Sequence, residues 1–545
     1  MEILAAKDLT FTYAGAQMPT LENISFSVPE NAFALLYGAS GSGKTTLLRL
    51  LKPELAPKGE CKGEILYSGN SLSELPCETS VREIAYTAQN PDTQQVSEYV
   101  KNELAFLPEN LGLPQSEIQL KIAETVGFFG ISDLYNRKIQ TLSGGEKQLV
   151  NLASACVGTP RVLLLDEPFA MLDVVGAERL LRALVRLHDV LGVTVLLTEH
   201  NIQSLLPYLT HVLVLENGTC RTFADTDAFL RAYPSAALSA AVPRALGISV
   251  DAFSPKTEAQ ARVLLQSAAP QMSVSGNAPD KRDETPLLTL KNASFRYTRV
   301  GKDVLSELSL TLNQGEVFSV LGANGAGKTT LLRLLLGEYK PYAGKRKVSP
   351  DVKIAAVPQN PQACFAFETV AEVLNTAAEP PAPKVLFHIL NDALNTAPAP
   401  LPAVQSIAKT LQISDVLSQN PFDLSAGQQQ RVAIGASLLE NPDILLLDEP
   451  TKGLDAPCKA SLLSLLADLK SAGETILLVT HDLDFAAECA DRCALLFDGR
   501  FVFEGAARDF FTHGDLYTSS VARMFSYVPE RARPISFSEV QNAQN

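Results

Sequence analysis

No apolar run in this 545-residue chain approaches the ~18–20 residues that span a bilayer, so no transmembrane helix is expected. The opening Met1-Glu2-Ile3-Leu4 lacks the basic flank and apolar stretch of a secretory signal. The chain is therefore expected in the cytoplasm, meeting a membrane only through partners. Basic charge is in deficit: 46 Lys plus Arg against 60 Asp plus Glu leaves −14, which disfavours broad attachment to a phosphate backbone, and no nucleic-acid partner is expected. The eight cysteines are scattered. Only Cys489 and Cys493 are close, and with no histidine beside them they read as reduced thiols on a packed helix rather than a metal site. With 33 Pro and 32 Gly the chain is too poor in both to be disordered or fibrous. At roughly 100–200 residues per domain, its length allows about three to five units.

Self-similarity resolves that length into two halves. GASGSGKTTLLRLL from Gly38 recurs as GANGAGKTTLLRLL from Gly322, and the lysines Lys44 and Lys328 are 328 − 44 = 284 residues apart. Tyr13 and Tyr297 share that offset; Ser143 and Ser425, and Asp166 and Asp448, differ by 282, and His200 and His481 by 281. Gln89 and Gln359 differ by only 270, so the first half carries 14 extra residues between its lysine and its glutamine. The second half recovers 12 before Ser425, largely in the Ala/Pro-rich AAEPPAPK and NTAPAPLPA. Loops absorb such changes while chemical motifs keep register. The expected organisation is a first domain at 1–266, a small, polar, Pro-containing linker at 267–285 and a second domain at 286–545. AFALLYG, VLLLDEP and VTVLLTEH read as buried parallel strands, which makes each half an α/β fold with its chemistry at the strand ends.

Gly38-x4-Gly43-Lys44-Thr45 and Gly322-x4-Gly327-Lys328-Thr329 each follow an apolar strand and open an apolar helix, the setting of a phosphate-binding loop. Their glycines, Gly41 and Gly325 included, let backbone N–H groups approach phosphate oxygens, and the lysine supplies a point charge. Ser40, Thr46, Asn324 and Thr330 complete the phosphate-binding candidates, and Thr45 and Thr329 would ligate Mg²⁺. At the end of VLLLDEP and ILLLDEP stand Asp166-Glu167 and Asp448-Glu449. Side chains alternate along a strand, so the aspartates are assigned to Mg²⁺ and the glutamates to the attacking water. Ser143-Gly144-Gly145-Glu146 and Ser425-Ala426-Gly427-Gln428 read as capping boxes that start helices, and a helix start of this kind also suits a γ-phosphate.

The paired loops, the LSGG-type signatures, Gln89 and Gln359, and His200 and His481 together resemble the ATP-binding cassette ATPases across nearly the whole chain. The resemblance implies two tandem P-loop ATP-binding cassettes, each with a parallel-sheet core, an antiparallel subdomain and a helical signature subdomain. It also implies ATP and Mg²⁺ as ligands, Gln89 and Gln359 in the Mg²⁺ shell, His200 and His481 as γ-phosphate switches, and Tyr13 and Tyr297 stacking on adenine. Asp173 and Asp455 would couple the two sites. The halves would form an intramolecular pseudo-dimer, Lys44, Asp166, Glu167 and His200 working with Ser425 and Gly427, and Lys328, Asp448, Glu449 and His481 with Ser143 and Gly145.

QNPDTQ from Gln89, QNPQ from Gln359 and the AMLD motif resemble the energy-coupling-factor importer ATPases in particular. That resemblance implies a peripheral ATPase on the cytoplasmic face of the membrane, driving uptake of a vitamin, vitamin precursor or transition metal ion. Its partners would be a transmembrane coupling protein and a small substrate-binding membrane protein. SAAVPRALG from Ser239 and SSVARMFS from Ser519 are similar to that family's C-terminal extensions. Two alternatives are a soluble tandem-cassette ATPase acting on ribosomes or nucleic acid, which the acidic balance and weakly charged linker disfavour, and the fused ATPase of a sugar importer, which the Q-loops disfavour. Ala426 replaces a signature glycine, Glu146 replaces the usual Gln, and Leu149 stands where the other half has Arg431, so two competent but unequal sites are expected.

Overall fold

The strand Val162–Asp166 is buried at every position because both of its faces are covered. Leu163 and Leu165 enter a core shared with the helices, while Val162 and Leu164 enter a second core under an antiparallel sheet. Ile444–Asp448 repeats this arrangement, with Leu445 and Leu447 on the helical side and Ile444 and Leu446 on the other. The continuous Leu-rich runs therefore serve two cores at once, which period-two side-chain alternation permits.

The computed structural model describes residues 2–170, 172–248, 254–268, 285–299, 301–378, 402–514 and 517–543. Most of the expected linker, most of both Ala/Pro-rich stretches and Met171 of the AMLD motif lie outside them. The chain divides into two units, Met1–Leu264 and Leu265–Asn545.

In the first unit a six-stranded sheet runs Thr219–Phe223, His211–Glu216, Phe33–Tyr37, Thr194–Thr198, Val162–Asp166, Ile84–Thr87 from edge to edge. Its pairings are parallel except for the hairpin at the first edge. The second unit has the same order: Arg500–Ala506, Arg492–Phe497, Val317–Leu321, Thr475–Thr480, Ile444–Asp448, Ile354–Val357. Each unit adds an antiparallel sheet, built on Glu2–Tyr13 in the first and on Pro286–Phe295 in the second. The α/β cassette fold expected from the sequence is thus present twice.

The 14 extra residues of the first half have a structural counterpart. A short strand at Asn70–Ser71 and a helix at Cys77–Glu83 intervene before Ile84–Thr87, whereas Ala343–Val348 leads to Ile354–Val357 without them. One expectation is corrected: Cys489 and Cys493 do not share a helix. Cys489 closes the helix Leu483–Cys489, and Cys493 lies in a strand that pairs in parallel with Val317–Leu321, because the sheet takes up the apolar run CALLF.

Candidate functional site

Each P-loop connects a buried strand to a helix, Lys44–Leu50 or Lys328–Leu336, capped by a glycine in the left-handed region: Gly43 at φ 97° and Gly327 at φ 104°. A side chain at Gly43 would also lie 2.8 Å from Leu21 Cδ2, so both conformation and space require glycine there. Lys44 and Lys328 are buried. Lys44 Nζ donates to the carbonyls of Gly38 and Ala39 at 2.8 and 2.9 Å, and Lys328 Nζ to those of Gly322 and Ala323 at 2.7 and 3.3 Å. Each ammonium is thereby folded back onto its own loop.

The strand-end carboxylates are separated by a backbone turn, which corrects the expectation of simple strand alternation. The strands end at Asp166 and Asp448, and the next residues, Glu167 and Glu449, are left-handed at φ 45° and 50°. A non-glycine residue in that region is strained by about 1–3 kcal/mol, and such strain concentrates at functional sites. The turn sends the glutamate toward the histidine: His200 Nε2 lies 2.9 Å from Glu167 Oε1, and His481 Nδ1 lies 2.8 Å from Glu449 Oε2. Gln89 Nε2 donates to Glu167 Oε2 at 2.7 Å. Glu449 is held differently, with Lys328 Nζ 3.1 Å from its Oε1 and outside hydrogen-bond geometry. Burial pushes the Glu449 pKa up, but His481 and then Lys328 outweigh it and hold the carboxyl below its usual range.

The aspartates differ more sharply. Asp166 Oδ1 accepts from Thr45 Oγ1 at 3.1 Å and Thr198 Oγ1 at 2.9 Å, and its Oδ2 accepts from Tyr86 at 3.3 Å. Asp448 Oδ2 accepts from Thr329 Oγ1 at 2.9 Å, while its buried Oδ1 has no hydrogen-bond partner among the described residues. The cause is in the sequence: Ala356 and Val479 stand where the first half has Tyr86 and Thr198. Burial raises the pKa of both aspartates. Paired hydroxyl and carboxylate oxygens suit a hard cation such as Mg²⁺, and a buried carboxylate oxygen without a protein donor fits that role.

Sequence reasoning missed Tyr86 and Thr198, and it missed Glu199. This buried carboxylate accepts the backbone N–H groups of Phe169 and His200, both at 2.9 Å, and so ties the glutamate loop to the histidine. The signal was the contrast between the halves, since Thr480 stands at its place in the second. Burial, with Glu167 nearby, pushes its pKa up to about 7. A carboxyl whose folded pKa is raised binds more protons folded than unfolded, so its contribution is present below the unfolded value and lost as pH rises through the folded one. Relative to Glu199→Gln, the parent should lose roughly 3 kcal/mol of stability between pH 4.5 and 7. Urea melts of both proteins across that range check this; a pH-independent gap would contradict it.

Tyr13 and Tyr297 are anchored alike, each hydroxyl 2.8 Å from the hydroxyl of Thr46 or Thr330, with the ring edge-on to Phe11 or Phe295. Their exposed rings can offer a face to a base. Ser143 and Ser425 cap the helices Gly144–Cys156 and Ala426–Leu439 with complete capping boxes, closed by Glu146 and Gln428. Asp173 and Asp455 cap the helices Val174–Leu191 and Ala456–Ser471. A side chain at Gly427 would meet Cys458 Sγ at 2.6 Å. Gly427→Ala is expected to cost about 1–2 kcal/mol, mostly recovered by adding Cys458→Ala; thermal melts of the single and double variants measure it.

Comparison with known proteins gives a consistent result. The sequence model of a family described as ABC transporter matches residues 21–170 and 305–452, spans that end before His200 and His481. The chain is 35% identical over 542 residues to an ABC transporter ATP-binding protein of Bacillus thuringiensis, covering 95% of this chain and 94% of that one. It is 27% identical over 528 residues to a Bacillus subtilis protein named as an HMP/thiamine import ATP-binding protein, covering 94% and 93%. Among solved structures, a chain of ribosome-bound archaeal Pelota and ABCE1 aligns with a TM-score of 0.63 at 22% identity, covering 96% of this chain and 82% of that one. At that identity the likeness is one of fold.

Proposed function

This chain belongs to the ABC transporter family, with one ATPase cassette in each half, and from that premise we propose that it is the ATP-hydrolysing motor of an importer of the energy-coupling-factor type. The observation that carries the reading is the recurrence in both halves of one set of groups: a looped lysine, a threonine bonded to an aspartate, and a left-handed glutamate against a histidine. Lys44 and Lys328 bind phosphate, and Thr45 with Asp166 and Thr329 with Asp448 hold Mg²⁺, which neutralises phosphate charge when bound. Gln89 and Gln359 belong to the same cation and water shell. Glu167 and Glu449 orient the attacking water and accept its proton, and His200 and His481 fix those carboxylates and report on the γ-phosphate. The two cassettes act as an intramolecular pseudo-dimer.

The Q-loops QNPDTQ and QNPQ support the importer type, and full-length similarity to a thiamine-type import ATPase favours a vitamin or vitamin precursor as cargo. No helix among the described residues is long and apolar enough to cross a membrane. A transmembrane coupling protein and a small substrate-binding membrane protein are the partners proposed, with this chain on the cytoplasmic face. The test is affinity purification of the tagged chain from detergent-solubilised membranes, followed by mass spectrometry of its companions and any bound small molecule. Two membrane proteins and a vitamin-like ligand are expected; recovery of ribosomal proteins instead would establish the soluble reading.

A further inference from the structure

The residue three places beyond each candidate switch histidine is gripped at two points by a serine from the closing segment of the same half. In the second unit Asp484 Oδ1 accepts the Ser520 backbone N–H at 2.6 Å, and Oδ2 accepts the Ser520 hydroxyl at 2.8 Å. In the first unit Gln203 Oε1 accepts the Ser239 N–H at 3.1 Å, and Gln203 Nε2 donates to the Ser239 hydroxyl oxygen at 3.0 Å. The offsets agree: 484 − 203 and 520 − 239 are both 281, the same as 481 − 200 for the histidines. A carboxylate in one half and an amide in the other form the same two-point grip, so the arrangement has survived a change in its chemistry.

Both serines are buried. In the second unit the gripped residue lies in the first turn of Leu483–Cys489, whose cap Asp482 directly follows His481 and pairs with Lys459 at 2.6 Å. A turn later Glu488 accepts the Phe537 N–H and the Ser538 hydroxyl, both at 2.6 Å. Ala486 and Ala487 share a core with Phe511, Ala522 and Ile535. The backbone leaving His481 is therefore held on its far side by residues of the terminal segment.

We infer that Ser239 and Ser520 are positioning residues for hydrolysis, which act through Gln203 and Asp484 to hold His200 and His481 against Glu167 and Glu449. The physical reason is that a hydrogen-bonded pair turns over only in one orientation, and a supporting shell that fixes two points of the following turn removes the swing and tilt of the imidazole. The inference rests on the reading of the two histidines as members of the hydrolytic sites.

The experiment uses the full chain carrying Glu167→Gln, so that turnover reports the second site, and compares the addition of Ser520→Ala, Ser520→Thr or His481→Ala. Ser520→Ala is expected to lower kcat about tenfold with the KM for ATP unchanged and the thermal midpoint lowered by only a few degrees, Ser520→Thr to restore most of the rate, and His481→Ala to lower kcat at least as far. Asp484→Ala, which removes both acceptors of the grip, should show the same split and serves if Ser520→Ala does not fold. Parental turnover in Ser520→Ala beside an impaired His481→Ala would overturn the positioning role and leave the histidine reading intact. Parental turnover in His481→Ala would overturn both. A fall in ATP affinity parallel to the fall in kcat would mark a merely structural serine and overturn the inference. Ser239→Ala in a Glu449→Gln chain repeats the test for the first site.

Discussion

Steady-state ATP hydrolysis by the chain carrying both Glu167→Gln and Glu449→Gln is expected to fall by about a hundredfold or more, the scale on which a positioned proton acceptor contributes. Glutamine preserves the shape of the left-handed turn and its approach to histidine, but it cannot take a proton from water. Each single replacement should leave a substantial residual rate, because the other half retains its complete set. The residual rates should differ, since Glu167 is engaged by Gln89 and His200 while Glu449 is engaged by Lys328 and His481. Single-turnover measurements with radiolabelled ATP on the three variants decide the matter. A single variant that turns over like the parent would show its site to be idle, and a double variant retaining most activity would remove the glutamates from the chemistry.

Lys328→Met is expected to abolish nucleotide binding in the second half and to destabilise that unit by about 3 kcal/mol even without nucleotide. Lys328 and Glu449 are both buried, and removing the ammonium leaves a buried carboxylate short of compensation. Combining Lys328→Met with Glu449→Gln should therefore recover much of the loss, because the uncompensated charge disappears with its partner. The folded pKa of Glu449 lies below its unfolded value, so its contribution is present above about pH 4.5 and is lost as pH falls through the folded value. The stability gap between parent and Lys328→Met should narrow over that acid range. Chemical denaturation without nucleotide, run as a double-mutant cycle at neutral and acid pH, checks all three points; additive losses would refute the coupling.

Much of this was readable from residue order alone. Glycine spacing, paired acidic residues after a Leu run and a serine three places before Glu or Gln each carry their own geometry, so the P-loops, strand ends and capping boxes could be located. What escaped was whatever depends on strand adjacency. Tyr86 and Thr198 reach Asp166 because their strands flank the aspartate strand in the sheet, a neighbour relation that sequence separation hides. The left-handed turn at Glu167 and Glu449 was hidden too, because glutamate carries no local preference for it and tertiary contacts impose it. Cys493 was misplaced for the related reason that a short apolar run is indifferent between helix and strand.

The strands that feed two cores also constrain how this duplicated chain has aged. A one-residue slip of Val162–Asp166 would exchange Leu163 and Leu165 for Val162 and Leu164 across the sheet, unbalancing both cores in one event and drawing Asp166 back from the strand end. Each such strand therefore behaves as a ruler whose graduations mutation cannot shift by one. Between these strands the first half carries a short strand and a helix at Asn70–Ser71 and Cys77–Glu83 that do not intervene between Ala343–Val348 and Ile354–Val357, while the order of the central sheet is the same in both halves. The position of each strand-end carboxylate is thus held by buried leucines on both faces of the strand that carries it.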